Sequence, residues 1–444
     1  MRFDLVIRGG EVFDPDSTRV EAADIAVSHG RIAAVDREIP VSSAFRSIDA
    51  SGLLVTPGWI DLHSHVYRGV TYWGVDAGRL GALTGVTTFV DAGSAGALTF
   101  GGFREFIVDP SPVRIYAFLN IAYIGLVAPD YELANLAYCD RDIFGRIASE
   151  NRDIIVGTKV RMTTPTIGDN GLEPLRIAIG AASENDLPVM VHIGPAPPTG
   201  ADLLPLMRPG DVLTHCFTGH SARIVGEDGR ILEVARRAWD AGVVMDIGHG
   251  SGSFSFATAE GLAHDGLWPD VISTDVHQES INGPMFDLPT CVSKFLALGM
   301  PLERALYSVT KRPAEVIGRQ GELGTLRKGA PADLAVFRRQ SGEFRFYDIT
   351  GSLRVGSEYL ENVMTLVNGR SLPRLPLREP APWMERGRIW PAASAALREK
   401  QFALADGGGD PRRWFPGKSA ASNGGSSSSR DLVEGTASTA NRQT

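Results

Sequence analysis

From residue 53 to residue 276 the chain alternates short, almost unbroken apolar runs with longer stretches of helical spacing. Few folds accept that pattern. The runs are LLVTPGWIDL (53–62), GVTTFVDAG (85–93), VRIYAFLNIA (113–122), IIVGTKVRM (154–162), PVMVHIG (188–194), DVLTHCF (211–217), GVVMDIG (242–248) and DVISTDV (270–276). A strand wetted on one face alternates apolar and polar residues, whereas a strand covered on both faces need not. Segments between the runs, such as GLEPLRIAIGAASENDL and EDGRILEVARRAWDAG, carry helical spacing. Eight such units predict an α/β chain, folded over residues 53–320 as a (β/α)8, TIM-like barrel.

The flanks differ. Residues 1–52 and 321–372 both have strand texture, so a small β-sandwich formed by both termini is expected beside the barrel. FDLVIRGGEVFD reads as two strands joined at Gly9-Gly10, and ADIAVSHGRIAAVD as a hairpin turning at His29-Gly30. Helices are expected around 285–299 and 301–318. A proline-rich extension with a short helix follows over 373–405, then a Gly/Ser-rich tail over 406–444 that is expected to be disordered.

Composition excludes several function classes. With 43% hydrophobic and 22% charged residues the chain can bury a large core. A net charge of -8 argues against nucleic acid as a partner. Three widely spaced cysteines suggest neither a disulfide framework nor a cysteine zinc site. The chain has no apolar run of about 18 residues, so no membrane span is expected. MRFDLVIRGG lacks the basic and apolar regions of a signal peptide, which predicts a cytoplasmic protein.

In a barrel of this kind the working residues stand at the C-terminal ends of the strands. The first run ends in His63 and His65, two positions apart and hence on one face. Neutral imidazole is a common transition-metal ligand. The fourth run carries Lys159 in apolar surroundings, the fifth and sixth end near His192 and His215, and the eighth carries Asp275. Four imidazoles, an amine and a carboxylate therefore converge on one rim. Arg161 follows Lys159 on the same strand face and could meet a substrate carboxylate bidentately. Arg68, in the loop after the first run, competes for that role. His249 and His277 stand where rim loops should meet substrate. His220 is left without an assigned role, His264 reads as a helix residue, and Cys216 should face away from His215.

These residues resemble the signature of the amidohydrolase superfamily: PGWIDLHSH, then Lys159, His192, His215 and Asp275, then GTLRKGAPADLAVF. The resemblance spans about residues 1–370 and points to the dihydroorotase-like and deacetylase-like hydrolases with two metals. It implies that carbon dioxide carboxylates Lys159 and that the carbamate bridges two divalent ions, with zinc expected. It further implies that His63, His65 and Asp275 hold one ion and His192 and His215 the other, with a hydroxide between them. Asp275 would then act as general base and later as acid. Relatives are commonly homo-oligomers. A lysine among four histidines would otherwise repel cations, whereas a carbamate is an anion able to span two ions.

The expected reaction is hydrolysis of an amide or ester: deacylation, in particular deacetylation, of a small N-acyl amino acid or O-acyl hydroxy acid. The small-molecule substrate should carry a carboxylate. The alternative is a cyclic amidase of the dihydroorotase type, but those enzymes show His-x-His-x-Arg where this chain has Tyr67. A deaminase would not need Lys159, and a non-catalytic scaffold would not keep all six ligands.

Overall fold

A computed structural model describes residues 2–378; the expectations for the short helix and the tail lie outside these described residues. Strands from both flanks of the barrel region enter one sheet. Its first five strands are β1 (Leu5–Asp14), β2 (Arg19–Ser28), β3 (Arg31–Asp36), β4 (Ser47–Asp49) and β5 (Leu54–Pro57). The barrel region supplies β6 (Trp59–Ser64), β7 (Val86–Gly96), β8 (Arg114–Asn120), β9 (Ile155–Met162), β10 (Val189–Ile193), β11 (Val212–Thr214) and β12 (Val244–Asp246). Then β13 (Leu334–Tyr347), β14 (Leu353–Val367) and β15 (Arg370–Ser371) return to the terminal sheet. That sheet runs β15-β14-β13-β5-β1-β2-β3, with β4 beside β1. Of the expected sandwich the structure shows one hydrogen-bonded sheet, shared by strands from 5–57 and 334–371.

Three local expectations are corrected. The segment around Gly9-Gly10 does not reverse, because β1 runs straight through with a register shift between Ile7 and Gly10. Gly9 takes a positive φ of 67°, and its N–H leaves the ladder to donate to Asp24 Oδ1 at 2.8 Å. One left-handed residue makes a bulge, not a turn. The run 53–62 is two strands, with β5 in the terminal sheet and β6 in the barrel. They are separated at Gly58, where a Cβ would overlap Thr87. The helix expected over 301–318 is broken into Leu302–Tyr307 and Lys311–Val316. Pro313 would clash with the carbonyl of Val309 in a continuous helix. That carbonyl instead accepts from Ile60 N–H of β6 at 2.8 Å. The His29-Gly30 hairpin forms as read, with both residues at positive φ.

The seven strands β6 to β12 form a curled parallel sheet in sequence order. The eighth run is not a regular strand. It spans the gap by two bridges, Asp246 to Val271 on one side and Ser64 to Val276 on the other. Its backbone is bent there, with Asp275 at a φ of 50°. Each of the eight segments contributes to one buried apolar cluster, through Ile60, Val90, Phe118, Val156, Met190, Val212, Val244 and Val271. This cluster fills the interior below the strand ends, as barrel packing requires. No helix among the described residues is long and apolar enough to cross a membrane.

Trp59 joins the two sheets. It is fully buried, stacks on Phe337 of β13 with ring centroids 4.2 Å apart, and donates from Nε1 to Thr56 Oγ1 at 3.0 Å. Trp59→Ala is expected to lower stability by about 3–5 kcal/mol, since a large cavity opens at the junction. Urea denaturation followed by far-UV circular dichroism measures this, and an unmoved midpoint would show that the junction carries no stability.

Candidate functional site

The strand ends bring the six rim residues together. His63 and Asp275 meet through Nε2 and Oδ1 at 3.3 Å, and His65 Nε2 lies 3.0 Å from the same oxygen. Among the described residues these three form a group whose donor atoms all lie within 4.8 Å of one another. Two donors on a tetrahedral zinc, each ~2.0–2.1 Å from it, sit about 3.3–3.4 Å apart, so the separations suit one ion. His215 Nε2 faces His192 Nδ1 at 3.0 Å, and the rings of His63 and His215 are 5.0 Å apart. The second pair of imidazoles therefore adjoins the first.

Burial sets the protonation state of these groups. Desolvation holds His63 and His192 well below the usual histidine range, His65 near about 3 and His215 near about 4. Their lone pairs are accordingly available near neutral pH. His215 Nδ1 lies 2.6 Å from the carbonyl oxygen of Gly248, which can only accept, so the ring proton sits on Nδ1 and the lone pair on Nε2, which faces His192 Nδ1.

Lys159 is completely buried on β9. Its Nζ lies 3.3 Å from His63 Nε2 and 3.4 Å from Met190 Sδ, the latter in the apolar floor of the barrel. Desolvation brings it from 10.5 down to about 7, against the pull of Asp275 and Asp246. Room for its stem comes from Gly93, whose missing Cβ would stand 2.5 and 2.6 Å from Lys159 Cγ and Cβ. Gly248 does the same service elsewhere. A Cβ there would be 2.9 Å from His63 Nδ1 and 3.0 Å from His215 Nδ1.

Above this group opens a cavity of about 460 Å³, lined by His65, His192, Asp275, Arg161, His277 and Trp73 among others. The other sequence candidates are placed differently. Arg161 is in the wall, but Glu132 holds its Nε and Nη2 at 2.5 and 2.6 Å, and Nη2 also donates to Pro129 O. His277 lines the cavity edge-on to Trp73, with burial pulling it to about 4. His249 does not reach the cavity. It is fully buried, accepts from Lys294 Nζ at 2.8 Å and stacks on Phe254. Arg68 is exposed in the turn after β6 and is not a lining residue. His220, which the sequence left without a role, lines the cavity and bonds Gly252 O through Nε2 at 2.7 Å.

Sequence reasoning passed over Glu132, Thr214, Asp246, Ser94 and Asp91. A carboxylate inside an apolar strand run, as at Asp246 and Asp91, is a signal, because such a group is buried only with partners. Glu132 stands in a loop and has no such mark.

Comparison with known proteins places this arrangement. An Amidohydrolase family profile matches residues 218–372, which include Asp275. A deacetylase of Agrobacterium fabrum is 41% identical over 326 residues, covering 73% of this chain and 80% of that protein. The chain belongs to the amidohydrolase superfamily. It is a hydrolase among the deacetylase-like members. Two solved structures, titled as an adenine deaminase and a dihydroorotase, are each 36% identical to this amidohydrolase over 83% of its chain. They cover 99% and 97% of their own chains, with TM-scores of 0.79 and 0.77. The names of these relatives thus span three different reactions on one architecture, so the reaction must be argued from the site.

Gly93→Ala is expected to push Lys159 out of place and to lower kcat/KM by about 100-fold, as misplacement of ~1 Å does at reacting centres. The urea midpoint should move less than for Trp59→Ala. Steady-state kinetics beside a denaturation curve decides it, and unchanged kcat/KM would show that Lys159 needs no such room.

Proposed function

We propose that this amidohydrolase deacylates a small N-acyl amino acid or O-acyl hydroxy acid, removing an acetyl group by attack of water on the acyl carbonyl. The observation that carries the reading is the meeting of His63, His65 and Asp275 at 3.0–3.3 Å beneath an open cavity. The deacetylase name of the Agrobacterium relative supports the acyl preference.

The residues fit two divalent ions. His63, His65 and Asp275 would hold one, and His192 and His215 the other, with Lys159 as its carbamate between them. Zinc suits a nitrogen and oxygen donor set at these separations. Bound there, the ions would polarise the acyl carbonyl and lower the pKa of water. Lys159 would become a carbamate by attack of its neutral amine on carbon dioxide, releasing one proton.

The chain's own part follows from position. The Asp275 side chain is 13% exposed and borders the cavity. It can accept the proton of the attacking water and deliver it to the departing amine or alkoxide as the C–N or C–O bond breaks. Arg161 would offer its Nη1 to a substrate carboxylate, since Glu132 and Pro129 O occupy Nε and Nη2. His277 and Trp73 close the cavity beside Asp275.

A cyclic amidase remains the second reading, supported by the structure titled as a dihydroorotase. It is less well supported because Tyr67 stands in place of the expected arginine. Tyr67 packs against Phe103 and donates its hydroxyl to Thr99 O at 3.0 Å, so that position offers substrate no cation.

Zinc- or manganese-loaded protein assayed on N-acetyl amino acids and O-acetyl hydroxy acids is expected to turn over at least one compound class. Silence across both panels, or rapid ring opening of dihydroorotate, would overturn this reading. A second expectation concerns pH. Only the neutral amine of Lys159 reacts, and its fraction rises with pH. At fixed dissolved carbon dioxide, carbamate formation on metal-free protein should therefore quicken about tenfold per unit below about 7 and level off above it. Carbon-13 NMR with labelled carbon dioxide follows this, and a rate still climbing at pH 10 would contradict it.

A further inference from the structure

The ring of His63 is tied, on the side away from Asp275, to a second buried carboxylate. Its Nδ1 lies 2.7 Å from Thr214 Oγ1, and Thr214 Oγ1 donates to Asp246 Oδ2 at 2.7 Å. All three residues are completely buried. Thr214 and Asp246 are the last residues of β11 and β12 and face each other in the ladder between them. His63 reaches them from β6. The chain of bonds thus crosses the barrel just below the cavity.

A threonine hydroxyl has one hydrogen. Once Asp246 takes it, Thr214 Oγ1 can meet His63 Nδ1 only as an acceptor, so Nδ1 must carry the ring proton. The lone pair is then confined to Nε2, which points at Asp275 Oδ1 and Lys159. Gly248 keeps this corner open, because a Cβ there would overlap Thr214 Oγ1 and crowd His63 Nδ1. His65 is held in a parallel way: its Nδ1 lies 2.9 Å from Ser94 Oγ, and Ser94 bonds the buried Asp91. Asp91 is in addition engaged by the N–H groups of Val66 and Ser94, at 2.9 and 2.7 Å, and Asp246 by the Ser273 side chain.

We propose that Thr214 and Asp246 are positioning residues that lock His63 in its Nδ1–H tautomer and thereby set its affinity for a divalent cation. The inference rests on the metal-dependent reading above. Neither residue touches substrate. Their effect passes through the ring, as outer partners of a ligating histidine fix its orientation and raise its basicity.

The test uses the whole chain and Zn²⁺ alone, titrated against a chromophoric chelator. Thr214→Val keeps the shape and removes both hydrogen bonds, so its Zn²⁺ affinity should fall about 10- to 100-fold. Thr214→Ser keeps the hydroxyl and should stay within about threefold of wild type. Nitrogen-15 NMR of the metal-free wild type should show His63 protonated at Nδ1, a readout that stands even if Thr214→Val does not fold. Wild-type affinity in Thr214→Val, or a wild-type His63 protonated at Nε2, would overturn the proposal while leaving the hydrolase reading intact. A wild type with no Zn²⁺ affinity would overturn both.

Discussion

Burying the Lys159 amine beside His63 is the constraint on which the rest of the site depends. A charged ammonium in this position would be stripped of water, and the amine's hydrogen-bond partners are an imidazole nitrogen and a thioether. Neither repays the desolvation of a cation. The group is therefore driven toward its neutral form, and the imidazoles around it are driven the same way by the same burial. A set of neutral nitrogen donors packed this tightly, with Asp275 as the carboxylate among them, has lone pairs in excess of protons. That excess is what a pair of cations would answer.

Such a set can be assembled only where side chains are absent. Gly93 passes Lys159, Gly248 stands where its Cβ would strike Thr214, and Gly250 lies against Asp275, whose Oδ2 would be 2.6 Å from an added Cβ. All three glycines have positive φ, so both the space and the backbone exclude other residues. His215 and Asp275 also have positive φ, at 65° and 50°, and both aim into the site. Strained backbone at the strand ends is the means by which a regular barrel turns side chains toward one point.

How much of this could be read from the chain alone depends on how local each feature is. The strand runs were legible because burial on both faces leaves an unbroken apolar signature, and the His-x-His pair because alternation places both rings on one face. The eighth segment was legible as an apolar run but not in its bent backbone, which bridging to two neighbours decides. Gly9-Gly10 looked like a turn because glycine marks turns and bulges alike; pairing with β2 on one side and β5 on the other keeps β1 extended. His249 sat correctly after its strand, yet Lys294, from a helix 45 residues later, draws it into the core. Thr214 was hidden beside a more conspicuous neighbour, His215. Its role exists only because β6 and β12 approach it from elsewhere in the sequence.

The centre and the rim answer different questions. Proteins printed as a deacetylase, a dihydroorotase and an adenine deaminase share this architecture at 36–41% identity, so the barrel by itself does not select the bond that is cleaved. Selection falls to residues on the loops above the strands. On the proposed reading, the pairing of Arg161, at the end of β9, with Glu132 of a rim loop bears on that selection. It commits Nε and Nη2 to Glu132 and Pro129 O, which leaves Nη1, and it ties Arg161 to the loop that carries Pro129, Asp130 and Glu132. A cation already balanced by a buried carboxylate attracts an anionic substrate weakly at long range and orients it only on contact. On the proposed reading, discrimination in such a cavity comes from the fit of the acyl group and its leaving group between Trp73, His277 and the strand ends, more than from charge.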